Sequence, residues 1–362
     1  MFNLNTIKMK FRNLFIVLLV GIGFIFASCS DDESEQGEIT TGIFILNQGG
    51  SEGNNAGITA YNPETGAITR DIYRSQNGKD LGDTGQDMIV YGDKVYVSVY
   101  GSSRLVKMDK NGVERASLSF DVSTDGQPRY IEAEDGKLYV TLYSGQVARI
   151  DTATLQIEAY VSVGNNPEQI VEENGKLYVA NSGWGSGTTV SVIDIATFKV
   201  VQTLDVALNP NDLLEAGDNV YVLSWGNYAD IPYALQKINV QTGAVESITP
   251  ATKMVENEDI IYLVNSVTNW NVKPNVTTNT FFSYDTKQQK LNETSFLKLE
   301  GEAKTLETES VYMMAVDPHN GDFYVGTSDY VNTGKIYRFS RNGTLIKKFG
   351  SGGISPCKAL FF

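Results

Sequence analysis

The sequence predicts an all-β chain, a seven-bladed β-propeller of four-stranded antiparallel blades whose ring is closed by the C-terminal strand joining the first blade. A short apolar strand with an aromatic anchor returns seven times: IFILNQGG at 43–50, VYVSVYG at 95–101, LYVTLYSG at 138–145, LYVANSGW at 177–184, VYVLSWGNY at 220–228, IYLVNS at 261–266 and FYVGTSDY at 323–330. The anchors Phe44, Tyr96, Tyr139, Tyr178, Tyr221, Tyr262 and Tyr324 stand 52, 43, 39, 43, 41 and 62 residues apart, near the length of one four-stranded blade. The two ends complement each other. Residues 355–360, SPCKAL, copy the proline-bearing first strand of a repeat such as NPEQIV at 166–171, with no matching strand after them, and Phe44 has no such strand before it. Joining the two removes an open sheet edge.

The chain begins as a targeting segment. Lys8, Lys10 and Arg12 precede an uncharged apolar run from Leu14 to Ala27, which is short for a membrane span. Small residues then lead into Cys29, and the boundary resembles a bacterial lipoprotein cleavage site, although Phe26 stands where leucine is usual. The resemblance implies a signal peptide over 1–28, a lipid on Cys29 and a flexible acidic tether over 29–40 before the propeller at 41–362. Ser30-Asp31-Asp32-Glu33 is similar to the acidic surface-export signal of Bacteroidota lipoproteins; an acidic linker without that meaning is the alternative. Together these features place the protein at the outer membrane, lipid-anchored and facing the cell exterior.

Without residues 1–28, 26 Lys+Arg (29 minus the three in the leader) stand against 43 Asp+Glu, a formal balance of −17. So acidic a body is unsuited to binding nucleic acid or an anionic membrane by its charge. Besides Cys29 the only cysteine is Cys357, so no intrachain disulfide framework exists, and Cys357 reads as a small buried hydrophobe near the last strand.

Within each repeat the order is strand, turn, strand, loop, strand, Asx-type turn, strand. Asp135-Gly136, Asn174-Gly175, Gly217-Asp218 and Asn320-Gly321 mark the first turn. YNPETG at 61–66, IDTATL at 150–155, IDIATF at 193–198 and INVQTG at 238–243 mark the Asx turn. Pro128, Pro167 and Pro210 each lie 11 residues before their tyrosine, and Pro250 lies 12 before Tyr262. No window shows sustained helical periodicity.

In such a blade the loops between second and third strands share a face with the connections between blades. The anchor-to-Asx spacing that contains those loops varies from 12 to 23 residues, whereas the first-turn interval is nearly constant. Variation on one face points to a functional rim. Tyr100, Tyr143, Trp184, Trp225, Tyr228, Trp270 and Tyr330 fall just past successive strands, with Asn47, Asn181, Ser224 and Asn265 close by. Gln86, Gln127, Asn166 and Asn209 come from the connections on the same face. Aromatic rings provide apolar contact and amides orient a ligand by hydrogen bonds, so this set suits a large amphipathic ligand. Wedges between blades are the alternative role for any one ring.

Signals for catalysis are few, and the chain reads as a binder without a cofactor. The single histidine, His319, falls in a turn on the opposite face, away from any serine or carboxylate of the rim. Asp80, Asp83 and Asp87 are spaced loosely enough for calcium, but also suit an insertion kept soluble by charge. Gly183, Gly185 and Gly187 alternate between two strands rather than before a helix, which disfavours a phosphate cradle. Carboxylate-only hydrolysis or lyase chemistry stays open, with no pair singled out.

The repeats KLYVANSG, VSVIDIATFKVV and NPEQIVEENGKLYVAN resemble the YncE-like, surface-layer-type seven-bladed propellers from Thr41 to Phe362. The leader, the tether and the opening IFILNQGGSEGNNAGITAYNPETG are similar to BtuG-like surface lipoproteins of gut Bacteroidota. That resemblance implies capture of cobalamin or a related corrinoid on one propeller face and hand-off to a TonB-dependent outer-membrane transporter. A glycan-binding or interaction module of a surface uptake complex is the second reading, and a lyase or lactonase the third. The stretch from Asn265 to Thr280, read as a long loop, and the insertion around 298–310 are departures that could reshape the pocket.

Overall fold

Each repeat forms one four-stranded antiparallel sheet, and seven such sheets make up the body of the computed structural model, which describes residues 42–269, 271–273 and 275–362. The leader, the tether with Cys29 and the rim residue Trp270 lie outside the described residues. In every sheet the strands are adjacent in chain order from the inside outward, except where the ring closes. There Pro356–Phe361 is the innermost strand of the first blade and pairs antiparallel with Ile43–Asn47, setting Ile43 opposite Phe361 and Ala359 opposite Ile45.

The other innermost strands are Gly85–Tyr91, Pro128–Glu134, Pro167–Glu173, Pro210–Glu215, Lys253–Asn257 and Val311–Val316. Each touches the next around the ring, and the circuit ends with Pro356–Phe361 against Gly85–Tyr91. Proline opens four of the seven because the first position of a strand needs no ladder N–H. Pro250 instead precedes its strand by three residues.

Burial follows position in the blade. Second strands such as Lys176–Asn181 are buried on both faces after their first residue, because neighbouring blades cover them, and they read as unbroken apolar runs. Outer strands such as Ile157–Ser162 alternate, since one face meets water. Six of the seven anchors are fully buried, and Tyr262 is half-buried between Phe296 and Phe323. Asp135-Gly136 and Asn174-Gly175 hold both turn residues at positive φ (49° and 75°, 54° and 73°), the geometry that matches strand twist in a two-residue hairpin. In the Asx turns the aspartate or asparagine Oδ1 accepts the backbone N–H three residues on, at 2.8 Å from Thr197 to Asp194 and 2.9 Å from Thr242 to Asn239.

Three features depart from the sequence reading. A short helix, Ile72–Asn77, lies in the connection from blade one to blade two; at six residues it is too brief to leave a periodic signature. A 3₁₀ segment, Gly301–Glu307, occupies the insertion before blade seven and buries Ala303 and Leu306 against Phe281 and Tyr337. The stretch from Asn265 to Thr280 is a hairpin arm: Ile260–Asn269 and Val276–Asp285 stay paired along their length, with Asn265 opposite Thr280. The long anchor-to-Asx spacing suggested a loop, but cross-strand partners such as Thr268 and Thr277, whose hydroxyls lie 2.9 Å apart, carry the pairing outward.

Candidate ligand-binding face

On the face that carries the long loops, three aromatic residues are held outward in the left-handed backbone region. Trp184 (φ 55°, 72% exposed), Tyr228 (φ 59°, 61%) and Tyr330 (φ 65°, 62%) occupy the loops of blades four, five and seven. A bulky residue at positive φ is disfavoured by about 1–3 kcal/mol and persists only where its surroundings enforce it. Here the loops enforce it. The Ser182 Oγ accepts the Trp184 N–H at 3.3 Å, and the Ser328 Oγ accepts the Tyr330 N–H at 2.9 Å, the same i to i+2 device in two blades. Asn227 Oδ1 accepts the N–H groups of Ala229 and Ile231 around Tyr228. The Trp184 loop closes so tightly, with Gly187 N donating to Ser182 O at 2.7 Å, that a Cβ on Gly187 would sit 2.0 Å from the Asn181 carbonyl oxygen.

The rings connect. Tyr100 meets Tyr143 edge-on at 5.3 Å and Tyr143 meets Trp184 at 5.6 Å, an aromatic arc across blades two to four. Tyr312 and Tyr330 form a further edge-on pair at 5.6 Å, and Tyr228 and Tyr233 another at 6.2 Å. Beneath the arc lies Arg129, its guanidinium 5.1 Å from the Tyr100 ring and 4.7 Å from that of Tyr143. Arg129 Nε and Nη2 donate to Glu168 Oε2 at 2.8 and 2.6 Å, Nη1 donates to Gln86 Oε1, and the Tyr143 hydroxyl donates to Glu168 Oε1. Burial pushes the Glu168 carboxyl up, opposed by the Arg129 charge and the Tyr143 hydrogen bond; burial works against the Arg129 charge too, but Glu168 holds it above its ordinary value. Two further ion pairs cross between innermost strands, Asp87 with Lys358 at 3.1 Å and Asp212 with Lys253 at 3.7 Å. The floor of the face is charged but internally compensated; Tyr100 and Tyr143 are half-buried against it, and Trp184, Tyr228 and Tyr330 are the rings that stand exposed.

Several of the amides expected to orient a ligand belong to the scaffold. Asn181 is buried, with Nδ2 donating to Thr189 and Ser191 hydroxyls at 3.0 and 2.9 Å and Oδ1 accepting from Gly164 N. Asn209 Nδ2 donates to Gly226 O and its Oδ1 accepts from Asn211, while Asn47 Nδ2 donates to Thr59 and to Ser351 O. Ser224 is buried and donates to Ala207 O. Gln127 and Asn166 are half-buried, and their backbone carbonyls accept from Tyr143 N and Ser182 N. Asn265 is half-buried within the arm. Trp225 lies half-buried under Lys253 at 5.1 Å, its Nε1–H enclosed without an acceptor among the described residues.

Asp80, Asp83 and Asp87 do not converge: Asp80 pairs with Arg74, Asp83 accepts from Glu52 N, and Asp87 faces Lys358. His319 is exposed in the turn between Val311–Val316 and Phe323–Thr327, on the opposite face. The floor residues Arg129, Glu168, Asp212 and Lys358 escaped the sequence reading. Their signal was nevertheless present, since each follows the proline that opens an innermost strand by one or two positions.

Further along the central channel, burial pushes the Glu132 carboxyl up to about 7, with Glu215, Lys358 and Asp87 of three other innermost strands around it. The folded protein therefore binds this proton more tightly than the unfolded chain, and stability falls as pH rises from the unfolded value through about 7. Glu132→Gln is expected to stabilise the protein at pH 8 by on the order of 2–3 kcal/mol and to change nothing at pH 4. Thermal melts at the two pH values check this; an equal effect at both would exclude it.

The chain matches the family described as "Domain of unknown function (DUF5074)" over residues 41–361. No curated protein matches it. Among solved structures, the Kuenenia stuttgartiensis hydrazine synthase superposes with a TM-score of 0.58 at 16% identity, over 73% of this chain and 87% of that one. The computationally designed Ika8 protein gives 0.54 at 12% identity over 88% and 90%, and BamB from Moraxella catarrhalis 0.51 at 12% over 87% and 84%. Likeness at these identities speaks to the fold alone.

Proposed function

The chain belongs to the DUF5074 family, and we propose that this member binds a large amphipathic nutrient on the face bearing Trp184, Tyr228 and Tyr330, makes no bond to it, and passes it to a transporter. The observation that carries the reading is the fixed, outward presentation of these three rings by strained loops. An ordered apolar surface costs little entropy when a ligand arrives, so affinity can be high without a covalent step.

A corrinoid is the ligand we favour, because it combines apolar edges with many amide groups. The leader and Cys29 support a lipid-anchored protein at the outer surface, where hand-off to a TonB-dependent outer-membrane transporter would complete uptake. Trp184→Ala and Tyr228→Ala are each expected to weaken cobalamin binding about 10-fold or more, the range for losing a buried aromatic contact. Titration calorimetry of the full-length protein with cobalamin and cobinamide tests this. Absence of heat and of competition with either compound would defeat the corrinoid reading, and turnover of an added lactone would move the protein to the enzyme class.

A further inference from the structure

Between the arm of blade six and the loop of blade seven lies a cleft of about 290 Å³. Its walls are hydroxyl-rich, with Thr277 from the arm, Ser310 from the connection and Thr333 from blade seven, and Tyr330 forms one lip. At its base Glu309 and Lys335 are paired at 2.7 Å. The other oxygen of Glu309 accepts from the Thr327 hydroxyl at 2.9 Å and from the Tyr337 hydroxyl at 3.0 Å. Lys335 and these two hydroxyls outweigh burial and hold the Glu309 carboxyl below its usual range. The wall is fixed as well: Asn279 of the arm donates from Nδ2 to the carbonyls of Leu306 and Glu309 at 2.6 and 2.7 Å.

We propose that this cleft binds one sugar ring of a neutral glycan, at a site that shares Tyr330 with the proposed corrinoid face but lies apart from the arc of Tyr100, Tyr143 and Trp184. A sugar hydroxyl both donates and accepts, and the cleft offers acceptors on Glu309, donors on Lys335, and the hydroxyls of Ser310 and Thr333, which have no side-chain partner among the described residues. An anionic ligand would meet the ionised Glu309 and Asp329, a cation would meet Lys335 and find Glu309 already paired and Asp329 engaged by Asn332, and an apolar ligand would leave the hydroxyl wall dry. The exposed Tyr330 ring supplies the flat apolar surface that the C–H face of a sugar covers.

Saturation-transfer NMR on the full-length protein with methyl glycosides of glucose, galactose, mannose and N-acetylglucosamine tests the site. Saturation of the ring protons of at least one glycoside is expected. Its affinity should fall about 10-fold in Ser310→Ala/Thr333→Val and again in Tyr330→Ala, the loss typical of removing one or two hydrogen bonds or a stacking face. No binding by any of the four, or affinity unchanged within about twofold in both variants, would overturn the proposal. Cobalamin binding is measured in the same samples; because Tyr330 belongs to both sites, Ser310→Ala/Thr333→Val, which touches only the cleft, separates failure of the glycan site from failure of the corrinoid reading.

Discussion

Arg129→Ala is expected to destabilise the propeller by about 3–5 kcal/mol, the usual loss when one member of a buried ion pair is removed. The substitution leaves Glu168 buried and charged without its partner, strips Gln86 Oε1 of its donor, and empties the space beneath the Tyr100 and Tyr143 rings. For a domain of this size the melting temperature should drop by about 5–8 °C. Arg129→Met/Glu168→Gln is expected to recover much of that, because it removes both charges and keeps the volume. A single variant that melts within about 1 °C of the unaltered protein would show that water already compensates Glu168.

Deleting residues 356–361 is expected to have a larger effect still, the loss of any cooperative thermal transition. The strand Pro356–Phe361 provides the inner partner of Ile43–Asn47, the Lys358 ammonium that faces Asp87, and the Phe361 ring beside Tyr324. Without it the first blade has an exposed apolar inner edge, and blades seven and two lose their common neighbour. A circular permutant in which a two-residue Asn-Gly turn joins Phe362 to Gly42 is expected to restore the melt. Phe362 N already donates to Gly42 O at 3.0 Å, the closing pair of a hairpin, so a two-residue link would copy the first turn of other blades such as Asp135-Gly136 between Glu134 and Lys137. Calorimetry of the truncated and permuted chains decides it: a cooperative melt in the truncated chain would show that closure is dispensable.

Much of this architecture is visible in the sequence because it is repeated. Anchors such as Tyr178, hairpin pairs such as Asn174-Gly175 and the proline of Pro356 are each required by local geometry, so they recur and can be aligned by eye. The candidate site is visible only in outline. Trp184, Tyr228 and Tyr330 were identifiable as aromatics just past a strand, but their left-handed backbone depends on the hydrogen bonds of Ser182, Asn227 and Ser328. The amides of Asn181 and Asn209 have the same composition as ligand-orienting groups, and only the bonds they make assign them to the seams between elements. Arg129 and Glu168 are 39 residues apart in the chain, and nothing local reveals that they meet. The arm escaped notice because Thr-rich pairing far from a core lacks apolar alternation.

The pairing of Ile43 with Phe361 also bears on how the chain acquires its shape. This contact joins residues more than 300 positions apart, while the other pairings within blades are local, so most blades can form before the ring does. During synthesis the segment IFILN must therefore wait, unpaired on one side, until the final strand emerges. That interval is when a chain of this design is most prone to associate with another copy through the open edge, and it is where a holding chaperone would act.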